Sequence, residues 1–130
     1  MTTLPPATER EIENSIRDLF LRAGWYPVKS DSGMVARGTR GRVQRGHLPL
    51  GFPDLTMLCA LPGTTLCLAA LIEVKTLSGR LRDSQVQRHA ELRDLYGIHP
   101  HVIRDAREAV ALIQEARRVA AILTGPCQKT

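Results

Sequence analysis

Two apolar runs, residues 54–61 and 66–75, are separated by Pro62-Gly63-Thr64-Thr65. That spacing and turn chemistry predict an antiparallel hairpin, which constrains this chain more than any other segment. If Leu61 and Leu66 close a four-residue loop, paired positions sum to 127 and Asp54 stands opposite Glu73. Alternate residues of a strand share a face, so Glu73 and Lys75 project to one side and Ile72, Val74 and Thr76 to the other. Side chains paired on one face lie about 5 Å apart at Cβ. Two carboxylates at that separation repel by about 1 kcal/mol in water and by several in a protein-like medium. A divalent cation between them reverses the sign, and Mg²⁺ takes one or two carboxylates plus waters and phosphate oxygens. Lys75 beside the pair is suited to orient an attacking water or to stabilise negative charge developing on phosphorus.

The flanking segments read as follows. Thr8-Glu9-Arg10-Glu11 is a capping box. Ile12, Ile16, Leu19, Phe20 and Ala23 then recur at helical spacing until Gly24, giving a helix over about 9–23. Trp25–Val28 reads as a short strand, with Pro27 placing it at an edge or making it irregular. A second helix is expected over about 83–96, stopped at Gly97, followed by a short strand at Val102-Ile103. Asp105 with Glu108 caps a last helix whose apolar positions run from Ala109 to Leu123. The order is α-β-β-β-α-β-α, an α/β chain with a mixed sheet flanked by helices. We expect a single domain over 1–130, with a core of about 8–124, a basic Gly/Arg-rich loop at 30–50 and a tail at 125–130.

Charge narrows the function. The net charge is +5, and 15 of the 18 basic residues are arginine. No acid falls between Ser32 and Pro53, whereas Arg37, Arg40, Arg42, Arg45 and His47 do, interleaved with four glycines. Such a loop suits phosphate contact through arginine forks. For His47 a phosphate or solvent contact is favoured over a general base. With aromatics at only 4% of the chain, stacking platforms for bases are scarce. Recognition is therefore expected to go through nucleic-acid backbone and shape. No apolar run approaches a membrane span, and the N-terminus lacks a signal-peptide core, so a soluble intracellular protein is expected. Cys59, Cys67 and Cys127 form no C-x-x-C and are expected as reduced thiols, the first two buried in strands. His99 and His101 lack further ligands at zinc spacing.

Taken together, Gly51-Phe52-Pro53-Asp54-Leu55, a hairpin, and Ile72-Glu73-Val74-Lys75 resemble the PD-(D/E)XK nuclease signature. The variant is most similar to the virus-type replication and repair nucleases, the VRR-NUC family. That family places a glutamine at the start of the helix after the lysine, as Gln85 stands here. It also carries an acid on its first helix, for which Glu9 is favoured by its place on the apolar stripe and Glu13 is the rival. Arg82-Asp83 stands where the family usually has Ser-Pro, and the loop before Gly51 is unusually long and arginine-rich. The resemblance covers about residues 8–115.

The resemblance implies a restriction-endonuclease-like sheet with helices on both sides. It implies Mg²⁺ or Mn²⁺ held by Asp54 and Glu73 with the Val74 carbonyl, a catalytic Lys75, and Gln85 as helper. The activity implied is that of a metal-dependent DNA endonuclease acting in DNA repair on branched DNA, as Holliday-junction resolvases do. Two active sites on such a substrate imply a homodimer. The location implied is cytoplasmic, in a bacterial or phage-infected cell. Arg80 and Arg82 are expected to extend the DNA-binding face begun by Arg37, Arg40, Arg42 and Arg45. A flap or restriction-type nuclease, or a non-catalytic nucleic-acid-binding module of the same fold, are the other readings. The basic loop yields a prediction. Replacing Arg40 and Arg42 by alanine weakens DNA binding and flattens its dependence on salt, by about one unit of slope per lost phosphate contact. Filter binding over a salt series measures this; an unchanged slope removes both residues from the interface.

Overall fold

The computed structural model describes residues 5–30 and 48–125. Arg37, Arg40, Arg42, Arg45 and His47 lie outside the described residues, as does the tail beyond Gly125. Three helices and four strands follow the expected order: α1 (Glu9–Arg22), β1 (Tyr26–Lys29), β2 (Leu55–Ala60), β3 (Cys67–Val74), α2 (Asp83–Tyr96), β4 (His101–Ile103) and α3 (Ala106–Thr124). The strands form one mixed sheet in the order β1-β2-β3-β4. β1, β2 and β3 are antiparallel neighbours, and β4 joins β3 in parallel after the α2 crossover. Among the described residues no helix is long and apolar enough to cross a membrane.

Local chemistry sets each boundary. Thr8 Oγ1 accepts from the Glu11 amide (3.1 Å) while Glu11 Oε1 accepts from the Thr8 amide (2.8 Å), closing the capping box of α1. Gly97 ends α2 with a left-handed φ of 68°, its amide bonded to the Arg93 carbonyl. Asp105 caps α3 through the Glu108 amide (3.0 Å). β1 lies at the sheet edge, where Pro27 removes no ladder bond from an inner strand. The β2–β3 hairpin has the expected register: Leu55 pairs with Ile72 and Ala60 with Cys67. Its loop is pinned by the Leu61 amide on the Leu66 carbonyl (3.1 Å).

The period-two alternation divides the sheet into two faces. Leu55, Met57, Ala70, Ile72 and Val74 are buried on one of them, with Ile12, Ile16 and Phe20 of α1 and Ala109 and Ile113 of α3. Phe20 and Trp25 meet edge to face at 5.1 Å. Burying each large apolar side chain here contributes about 1.5–3 kcal/mol. The opposite face carries Glu73, and α2 reaches it with Gln85 and His89. One expectation fails: Cys59 is half-buried and Cys67 exposed, because Cys67 opens β3 beside the hairpin turn, where the strand is not yet covered.

Gly51 joins the two sides of the sheet. Its φ is +81°, and a Cβ there would lie 2.2 Å from the Ser84 carbonyl oxygen in the first turn of α2. Only glycine allows so close a backbone approach. Gly24 also has a positive φ (+90°), but a Cβ there would meet nothing within 4 Å. Gly51→Ala is therefore expected to cost more than the roughly 1–3 kcal/mol of backbone strain alone, and Gly24→Ala only that strain. Urea denaturation compares them, and equal losses would show that the contact with α2 is dispensable.

Candidate active site

The site forms at the C-terminal end of β3, flanked by β2 and β4. Glu73 pairs with Val102 of β4, and the register of β2 carries Asp54 opposite Glu73. With a strand on each side and α2 above, the Glu73 side chain is fully buried (0%). Asp54, one residue before β2, is half-buried and held on two sides. Its Oδ2 accepts from the Val74 amide (2.9 Å), and its carbonyl accepts from the Ser30 amide (2.8 Å). The Ser30 hydroxyl donates to the Pro53 carbonyl (2.7 Å). The Pro53-Asp54 step is thereby fixed to the ends of β1 and β3.

Both oxygens of Glu73 take a partner from α2. Gln85 Nε2 donates to Oε2 (3.0 Å), and His89 Nε2 lies 3.1 Å from Oε1. Gln85 and His89 are four residues apart, so one helix face presents both. Gln85 Oε1 also accepts from the Arg82 amide (2.8 Å), so the same side chain caps the helix it sits on. This answers the departure at Arg82-Asp83: α2 lacks a side-chain cap at Arg82, and Gln85 reaches back instead. Glu73, Lys75, Gln85 and His89 are the buried polar residues among those described.

Burial pushes the Glu73 carboxyl up to about 9, helped by the neighbouring Asp54 carboxyl, which disfavours a second negative charge beside it. The Lys75 ammonium opposes the rise, and the Glu9 carboxylate adds to it. Burial lowers His89, with Arg93 and Lys75 adding to the effect against Asp54. Both shifts disfavour the charged forms of Glu73 and His89.

The other residues singled out by sequence fall as follows. Lys75 is buried, with its amide on the Ile103 carbonyl (3.1 Å), and its charge is felt by both Glu73 and His89. Glu9 is exposed in the first turn of α1, yet its charge reaches Glu73. Glu13 is engaged elsewhere: Lys29 Nζ donates to both its oxygens, at 2.8 and 2.7 Å. Val74 is buried between β2 and β4, its amide already committed to Asp54. Arg80 and Arg82 are exposed on the connection from β3 to α2.

Two residues enter that sequence reasoning passed over. His89 was detectable, because it lies one helical turn beyond Gln85 on the same face. Arg104 carried no such signal. Its Nη1 donates to the Thr76 and Gly79 carbonyls, both at 2.6 Å, and so secures the turn that follows Lys75.

Among the described residues no three His, Cys, Asp or Glu side chains are grouped to hold an ion. Two facing carboxylates, one of them forced to keep a proton by its neighbour and by burial, suit a hard cation that retains most of its waters.

The Glu73 shift sets a pH dependence. The folded state holds a proton that the unfolded chain releases near 4.5. The stabilisation is complete below that pH and is lost as pH rises through about 9. In chelator, stability should fall between pH 7 and 9 by up to roughly 1 kcal/mol per pH unit. Glu73→Gln should flatten that fall. Denaturant titrations at several pH values measure it, and an equal slope in the variant would exclude Glu73 as the group responsible.

No protein-family model matches this chain, and no curated protein matches it.

Proposed function

We propose that the protein is a divalent-metal-dependent DNA endonuclease of the PD-(D/E)XK type, built on a restriction-endonuclease-like sheet and related to the VRR-NUC family. The observation that carries this reading is the register that sets the Asp54 carboxyl opposite fully buried Glu73, beside buried Lys75. A fold selected for stability alone would not bury an acid and a lysine beside a second carboxyl.

Asp54 and Glu73, with the Val74 carbonyl, are the groups that would hold Mg²⁺ or Mn²⁺. The ion, when bound, supplies Lewis-acid charge for a phosphoryl oxygen and a water of lowered pKa. Lys75 orients the attacking water and offsets negative charge on the phosphorus it attacks. Gln85 fixes the Glu73 carboxylate. Glu9 adds an acid from α1 at the margin. The exposed Arg80 and Arg82, with Arg37, Arg40, Arg42 and Arg45 of the basic loop, bind the phosphate backbone. Few aromatics and many arginines favour shape over base sequence, and the substrate is branched DNA, cut by a homodimer with two such sites.

The test is cleavage in Mg²⁺ and Mn²⁺ of a four-way junction beside flap and linear duplex DNA. Junction cleavage is expected to exceed the others. Glu73→Ala should lower cleavage by roughly 10²–10³-fold while leaving DNA affinity little changed. Wild-type cleavage by this variant overturns the metal assignment, and no cleavage of any substrate by the native chain overturns the nuclease reading.

A further inference from the structure

α2 departs from an ordinary amphipathic helix in what it buries. Its inward stripe is Gln85, His89 and Leu92, two polar residues and one apolar. A helix that buries an amide and an imidazole loses transfer free energy unless both find partners. Both find the same one, the Glu73 carboxyl, with one donor to each oxygen. The terminal torsion of a glutamate is broad and roughly two-fold, so a single hydrogen bond leaves the carboxylate free to turn. Two bonds, one on each oxygen and both from a rigid helix face, remove that freedom.

The geometry points to His89 as a positioning residue of the cation site: with Gln85 it clamps the Glu73 carboxylate in a single orientation, with Asp54 opposite it in the strand register. This rests on the reading of Asp54 and Glu73 as cation ligands. An ionised carboxylate only accepts hydrogen bonds, so His89 carries its proton on Nε2 when Glu73 is ionised. Asp54 is held in the same manner by the Val74 amide. Each carboxylate is thus oriented by a donor of the chain, and ligand-orienting partners of this kind typically set metal affinity by about 10–100-fold.

The experiment is Mn²⁺ titration followed by electron paramagnetic resonance of the free ion, on the folded, DNA-free protein. His89→Leu keeps bulk at the position and removes the donor. It is expected to raise the Mn²⁺ dissociation constant by about 10–100-fold. His89→Gln returns an N–H at the reach of Nε2 and is expected to bind Mn²⁺ close to wild type. Circular dichroism confirms that each variant is folded. If His89→Leu binds Mn²⁺ as tightly as wild type, the imidazole only fills space and the inference fails. If His89→Gln is as weak as His89→Leu, the ring and not its donor is needed, and the inference also fails. If the native chain binds no Mn²⁺, the cation reading of Asp54 and Glu73 falls first, a result distinct from the other two.

Discussion

Burial of one carboxyl, that of Glu73, organises the molecule around the site. An acid with no exposure to solvent, in an inner strand, is costly unless its charge or its hydrogen bonds are satisfied. Here every neighbouring element supplies something. α2 gives Gln85 and His89, the segment before β2 gives Asp54, and β3 itself gives Lys75. Burial first, and the Asp54 carboxyl beside it second, favour the protonated form and push the carboxyl up to about 9.

This demand explains the shape of the surroundings. α2 must lie close enough to Glu73 for a glutamine to reach it, and Gly51 lets the chain before Asp54 approach the first turn of α2. Arg88 continues the same contact, with Nε on the Leu50 carbonyl (3.1 Å). Asp54 then stands where the Val74 amide can orient it. On the other face of the sheet the requirements are ordinary. Apolar side chains from α1 and α3 fill the space over Leu55, Met57, Ile72 and Val74. The sheet thus carries an apolar core on one side and a cluster of buried polar side chains on the other.

Much of this was legible in particular residues. Pro62-Gly63-Thr64-Thr65 set the hairpin loop, and loop length fixed the register that brings Asp54 opposite Glu73. The capping boxes at Thr8 and the cap at Asp105 announced two helices at the right residues. Gln85 stood out only through the family resemblance, and not for its second task of capping α2 through the Arg82 amide. Cys67 was misjudged, since an apolar run in sequence does not say which end of a strand the helices cover.

Sequence by itself determined the order of elements, the strand register and the pairing of the two acids, because each depends on short-range periodicity and turn chemistry. Tertiary structure alone decided three other matters. It buried Glu73 by inserting β3 between β2 and β4, a consequence of which strand the α2 crossover returns to. It gave Glu13 to Lys29 and left Glu9 to act on Glu73, because β1 lies beside the second turn of α1. It recruited Arg104, whose partners Thr76 and Gly79 lie 25 or more positions away along the chain, beyond the reach of any local pattern.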